Sequence, residues 1–287
     1  MLRNWLRKRQ TPRYGRAADR DQVVAQKQLM LAYRQLADDV SMDLRDVGWS
    51  VYSQHEEDGL LLYVFARIGV EHYRCVDMCV GTGLESNTAN LIINHRWTGL
   101  LIDGDEDNLA IARSFYESRR ETRYWPPELR HAWLTRDNVN DVIGRAGCSG
   151  EIDLLSLDMD GVDYWIWKAL DVVQPRVVVA EYNHLLGPEA RLSVPYSDHF
   201  VAEFTEYGSD YAGASLGAFI DLAASRGMRF VGTNAIGTNA IFVREDLAGV
   251  MLPEADPHDA FLHPRAQFGL ENRFPAVSDK EWVEVQP

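Results

Sequence analysis

The residues with the clearest chemistry stand at the ends of apolar runs. Val76-Asp77-Met78-Cys79-Val80-Gly81-Thr82-Gly83 is an apolar stretch that meets an acid and then a glycine turn. Glycine there permits positive φ and lets backbone N–H groups approach a ligand with no Cβ between, which suits a nucleotide-shaped molecule. A second run, Trp97-Thr98-Gly99-Leu100-Leu101-Ile102-Asp103, ends in a carboxylate twenty residues after Gly83. An ionised Asp accepts hydrogen bonds only, so it can take both hydroxyl protons of a ribose at that spacing.

Two further runs open into polar clusters. Residues 152–157 lead into Asp158, Asp160 and Asp163, and residues 176–180 lead into Glu181-Tyr182-Asn183-His184. The glycine is misplaced for a calcium-binding EF-hand, and Ala169 stands where the closing glutamate belongs, so that reading fails. Asp158, Glu181 and Asn183 are hard oxygen donors that suit Mg²⁺. Asp160 and His184 are the candidates for a base that removes a hydroxyl proton, His184 because imidazole titrates near neutrality.

The glycine spacing separates two kinds of cofactor. A dinucleotide fingerprint needs a third glycine where this chain has Ser86. The pattern acid-x-Gly-x-Gly-x-Gly is met by Asp77, Gly81 and Gly83, with Cys79 at the first glycine position, and resembles motif I of class I S-adenosylmethionine (SAM) methyltransferases. Upstream, Ser53-Gln54-His55-Glu56-Glu57-Asp58-Gly59 is similar to the segment that precedes motif I in FkbM-like methyltransferases, with Glu56 where glycine is usual. The Asp158 and Glu181/Asn183 groups resemble the metal site of metal-dependent small-molecule O-methyltransferases, although a glutamate and the intervening Tyr182 depart from it. The likeness spans about residues 53–244. It implies SAM held by Asp77, Gly81, Gly83, Glu85, Asp103, Gly104 and Asp158, and Asp137 or Asn138 at the adenine amino edge.

Elements that would position these groups follow from periodicity. Strands are expected over residues 73–80, 97–103, 132–135, 152–157, 176–180, 228–233 and 239–243, and helices over 22–42, 60–68, 85–94, 108–120, 163–170 and 214–226. They predict an α/β fold: a Rossmann-like, seven-stranded, mostly parallel sheet with helices on both faces, an antiparallel last strand and an N-terminal helical extension. Residues 185–210 lack periodicity at a place where long excursions often form lids. The tail from Leu252 is expected to be mostly extended, clasping the body or a partner subunit. The domain reading is a basic arm and helical cap over 1–50, a SAM-binding catalytic domain over 51–246 and an extended tail over 247–287.

Composition bounds the function. The net charge of −14 argues against nucleic acid as a partner, while residues 1–20 carry seven Lys and Arg against Asp19, leaving the remainder near −20. That arm offers contact to a second copy of the chain, an acidic partner or an anionic surface. No apolar run approaches a membrane span and the first residues lack a secretory core, so a cytoplasmic location is expected. Cys75, Cys79 and Cys148 suggest neither a disulfide framework nor a zinc site. The favoured function is SAM-dependent O-methylation, with divalent-metal assistance, of a sugar or polyol hydroxyl or a hydroxylated natural product. Alternatives are N-methylation of an amino sugar, a non-catalytic assembly protein using the arm, and an NAD-dependent oxidoreductase. The last is disfavoured by Ser86 and by the lack of a Tyr-x-x-x-Lys pair expected at such a site.

Overall fold

Alternating side chains along the central strands bury two opposite layers, so the sheet must be covered on both faces. In the computed structural model, which describes residues 20–287, the strands are β1 (Arg74–Met78), β2 (Thr98–Asp103), β3 (Glu128–His131), β4 (Gly150–Leu157), β5 (Val173–Glu181), the short β6 (Leu192–Ser193), β7 (Glu203–Phe204) and β8 (Ser209–Tyr211), then β9 (Met228–Thr233), β10 (Asn239–Arg244) and β11 (Val283–Glu284). The main sheet has the order β3-β2-β1-β4-β5-β10-β9. Strands β1 to β5 pair in parallel and β10 runs antiparallel to both neighbours. The expected seven-stranded Rossmann-like sheet with its last strand reversed is therefore present.

The helices are α1 (Arg20–Arg34), α2 (Leu44–Val47), α3 (Glu57–Ile68), α4 (Ala89–His95), α5 (Glu106–Ser118), α6 (Val139–Arg145), α7 (Asp163–Ala169), α8 (Leu216–Ser225), α9 (Glu245–Ala248) and α10 (Pro264–Phe268). Val76, Met78, Leu155, Leu157 and Phe242 face one layer with Trp167 of α7 and Phe219 of α8; Cys75, Leu154, Val177 and Ile241 face the other with Leu61 and Phe65 of α3 and Ile92 of α4. This is the period-two division of a strand buried on both sides. The chain reverses its winding between β1 and β4, so a crevice opens beyond their carboxyl ends, where ligands of such sheets bind.

Several boundaries differ from expectation. The third strand is Glu128–His131 rather than residues 132–135: as an edge strand it pairs Leu100 to Asp103 without needing apolar side chains, and Ala132, Trp133 and Leu134 turn over the sheet's end. Helix α1 stops at Arg34, short of residue 42, because the Arg67 guanidinium collects the carbonyls of Tyr33, Leu36, Ala37 and Val40 at 2.8–3.0 Å. Helix α4 starts at Ala89 rather than Glu85, since the Ser86 and Thr88 hydroxyls bond Asp77 and hold the preceding residues in a turn.

The tail is not mostly extended. Asp256 and His263 cap short helical turns that begin with Pro257 and Pro264, where the missing N–H costs nothing. It does clasp the body, since Val283 and Glu284 pair with β6. The basic arm, apart from Arg20, lies outside the described residues. Among the described residues no helix is long and apolar enough to cross a membrane.

Candidate functional site

The glycine turn is anchored from below. Cys79 and Val80 donate to the Ile102 carbonyl at 2.8 and 3.0 Å, and the Gly81 N–H donates to Asp103 Oδ2 at 2.7 Å. Gly81 has φ +58° with open space where a Cβ would stand, and Cys79 has φ +68° although it carries a side chain. Gly83 lies inward, against Tyr116 and Ala112. Asp77 is buried and accepts from the Ser86 and Thr88 hydroxyls, each at 2.8 Å. Burial pushes its carboxyl up to about 6 despite those bonds. Asp77 thus shapes the turn from inside, and Ser86, the residue that breaks the dinucleotide pattern, is one of its two hydroxyl ties. Glu85 is exposed beside this turn.

A narrow apolar slot of about 60 Å³ lies between Asp103, Gly104, Trp133, Met159 and Phe200. Asp103 has one carboxylate oxygen on Gly81 and the other on the Asp105 N–H at 2.8 Å, which leaves it lone pairs but not a free carboxylate. Gly104 is where the slot needs glycine: a Cβ there would come within 2.8 Å of the Trp133 ring. Trp133 in turn donates from Nε1 to the Asp198 carbonyl at 2.6 Å, so the aperiodic segment covers the slot as a lid would. Of the two residues expected at an adenine edge, Asn138 uses its amide on the Thr135 N–H and the Trp133 carbonyl, whereas Asp137 is exposed. The lining is largely apolar, and Trp133 and Phe200 are the side chains that would have to move to widen the slot.

A second cavity of about 280 Å³ opens beyond the ends of β4 and β5. Asp158 and Glu181 are hydrogen-bonded to each other there; burial, then the charges of Asp160 and Asp163, push Asp158 up to about 7 against that bond, while burial and the Asp158 charge push Glu181 well above its usual value. Two touching carboxylates share one proton rather than both ionising. Asp163 holds the intervening turn by accepting from the Met159 and Gly161 N–H groups at 2.7 and 3.1 Å. Asp160 stands exposed on that turn with φ +50°, a conformation that costs a non-glycine residue energy and recurs at functional sites.

Asn183 faces the same cavity, but its Oδ1 accepts from Leu185 N at 2.9 Å and its Nδ2 donates to the Asp210 and Ala212 carbonyls. Its amide is committed to folding the chain after β5. Among the described residues no group of three or more His, Cys, Asp or Glu side chains could hold a metal ion. His184 is buried at the cavity wall; burial, Arg265 and Arg273 depress its imidazole to about 4, which makes it a weak base at neutral pH.

The segment before motif I divides its labour. Asp58 accepts from the Val51, Tyr52 and Ser53 N–H groups at 2.7, 2.7 and 3.2 Å, while Glu57 accepts from Asn234 and Asn239 at 2.8 Å. Asp58 thus holds the chain that leads into α3 and Glu57 ties the helix to the β9–β10 turn, and Gln54 and His55 are left facing the cavity. Sequence reasoning missed Trp133, Met159 and Phe200 of the slot, and Arg265 and Arg273, which the tail brings into the cavity from beyond the expected catalytic boundary at 246. It also missed that Tyr164 and Lys168 have the Tyr-x-x-x-Lys spacing. Both side chains donate to the Gln286 carbonyl, at 2.8 and 2.6 Å, and neither lines the cavity.

No protein-family model and no curated protein sequence matches the chain. Among solved structures it is similar to the N-terminal domain of EvdMO1 with S-adenosylhomocysteine (SAH) and D-fucose, at 15% identity over 79% of this chain and 97% of that one, TM-score 0.42. It is also similar to a SAM-dependent methyltransferase from Clostridium acetobutylicum, at 10% identity over 63% and 87% of the two chains, TM-score 0.40. A third is magnesium protoporphyrin IX methyltransferase from Synechocystis with bound SAM, at 10% identity over 66% and 77%, TM-score 0.40. At these identities the likeness is one of overall form, and the chemistry of the site is set by this chain's own side chains.

Proposed function

We propose that the protein is a SAM-dependent methyltransferase acting on a hydroxyl of a sugar or hydroxylated natural product. The observation that carries this reading is that Gly161 lines both the apolar slot and the acidic cavity. A nucleoside seated in the slot therefore delivers its far end next to the Asp158–Glu181 pair. When bound, SAM supplies an electrophilic methyl group on a sulfonium. The chain's own residues do the rest: the glycine turn and Gly104 admit the cofactor, Trp133 and Phe200 exclude water from it, and the carboxylates orient the acceptor hydroxyl and take its proton.

The pair titrates near neutrality, which suits a general base, and Asp160 stands beside it as a second acceptor. Mg²⁺ fits this rim poorly as arranged: Asn183 is engaged, and the pair would have to give up its shared proton before both acids could ligate.

Titration calorimetry is expected to give saturable binding of SAH and none of NAD; the reverse result overturns the assignment. Asp158→Asn is expected to lower kcat by about 10²–10⁴ while leaving SAH affinity unchanged. Unchanged turnover would reject the base role, and activity lost in EDTA and restored by Mg²⁺ would return the pair to metal ligation.

A further inference from the structure

The acidic cavity has a basic wall, and one of its cations has no hydrogen-bond or ion-pair partner among the described residues. Arg265 is brought there by α10, whose start is set by Pro264 and by His263 Nδ1 accepting the Arg265 N–H at 3.1 Å. Its guanidinium is partly buried and, among the described residues, makes no side-chain hydrogen bond and no ion pair within 4 Å. Arg273, on the same wall, is different: it is paired with Asp210, which also accepts from Thr205 Oγ1 at 2.6 Å. Burial, and then the charge of Arg273, lower the pKa of Arg265 from its ordinary value, as expected of a cation kept from water without a counter-ion in contact. Next to them His184 is only 7% exposed, and its Nε2 has no hydrogen-bond partner.

A guanidinium in this condition is an anion receptor, because its planar fork matches a carboxylate or phosphate. Its obvious internal counter-charge, Glu181, is not in contact with it and is hydrogen-bonded to Asp158 instead. The cavity thus carries both signs of charge on different parts of the chain, with Asp158, Asp160 and Glu181 at the ends of β4 and β5 and Arg265 and Arg273 on the tail. An acceptor with one anionic end is repelled from the carboxylates and drawn to the arginines, so it can enter in only one orientation. The chain's net charge of −14 gives no general attraction for anions, so any such preference has to come from this local wall.

We infer that the acceptor bears an oxyanion, a carboxylate or a phosphate monoester, that docks on Arg265 while its hydroxyl meets the Asp158–Glu181 pair. This rests on the methyltransferase reading for the hydroxyl and on the geometry of α10 for the anion. His184 is then the neutral donor or acceptor beside the anionic group, and Arg273 the fixed charge behind it.

The test uses the full chain saturated with SAH, titrated with glucose, glucuronate and glucose 6-phosphate. One of the two anions is expected to bind about tenfold or more tightly than glucose, and which one it is distinguishes carboxylate from phosphate. Arg265→Gln is expected to remove that preference, Arg265→Lys to keep part of it, and neither to change SAH affinity; because the Arg265 side chain makes no internal hydrogen bond, both variants should fold. Equal binding of all three sugars, binding of none, or a preference that survives Arg265→Gln overturns the inference. So does a loss of SAH affinity in Arg265→Gln with the anion preference intact, which would assign the guanidinium to the methionine carboxylate. Absence of SAH binding to the native chain would instead defeat the methyltransferase reading, and an anion preference abolished by Arg265→Gln would stand without it.

Discussion

Cys79 shows how a single backbone angle constrains the turn that opens onto the apolar slot. A side chain at φ +68° costs of order 1 kcal/mol that glycine would not incur, so Cys79→Gly removes strain where the motif ordinarily has glycine. The Cys79 thiol does not offset this by reacting: although the residue is exposed, desolvation of its sulfur among backbone and side chains, with Asp103, Asp158 and other nearby carboxylates, holds it in the protonated form. Cys79→Gly is expected to leave SAH affinity equal or tighter, measured by calorimetry, and to change stability by less than about 1 kcal/mol, since added chain entropy offsets the relieved strain. A large loss of affinity would mean that the Cys79 side chain itself grips the ligand. At this scale the sequence shows residue types better than roles. Asp77 and Asp103 are visible as acids at strand ends, but Asp77 organises the turn from within and Asp103 uses an oxygen on Gly81, because the Ser86 and Thr88 hydroxyls reach the first and the Gly81 N–H the second. Arg265 and Arg273 are not visible at all: no local motif marks tail residues that reach the cavity only when the tail folds back onto the body.

Elements are legible where burial enforces a period and obscure where a side chain overrides it. Strands β1, β2, β4 and β5 lie close to their expected ranges because both faces are buried, whereas β3, an edge strand, has no apolar signature. Arg67 ends α1 and Asp77 delays α4, each through bonds between residues far apart in sequence. The same kind of long-range tie holds the opposite end of the sheet. Asp153 of β4 is fully buried, pairs with Arg176 of β5 at 2.8 Å, and accepts from the Glu71 and His72 N–H groups at 3.0 and 2.7 Å. Removing the acid leaves a buried cation and two unmet donors, so Asp153→Ala is expected to cost about 3–5 kcal/mol in denaturant unfolding. The double variant with Arg176→Met should lose less than the sum of the single losses, because the stranded cation is gone. Additive losses would show that the two residues are not coupled.

For the molecule as a whole, the cluster of buried acids at the carboxyl end of the sheet sets how stability depends on pH. Asp58, Asp77 and Asp163 are pushed up to about 6, and Asp158 up to about 7, mainly by burial. In the unfolded chain these carboxyls ionise near 4, so the native state holds their protons longer, and the stability they contribute is full below about pH 4 and lost as pH rises through 6–7. His95 and His184, depressed to about 4, act in the opposite direction. An unfolded imidazole binds its proton only below about 6.5, so this opposing gain with rising pH is complete near there. From about pH 6.5 to 8, then, the Asp158–Glu181 pair is unopposed, and loss of its shared proton should lower the thermal midpoint by roughly 2–6 °C, from about one proton across that interval. Glu181→Gln removes one acid of the pair while Asp158 stays raised by burial, so its midpoint should fall less steeply over the same interval and be higher than that of the native chain at pH 8. A Glu181→Gln midpoint that falls as steeply as the native one would show that the lost proton belongs elsewhere in the acid cluster.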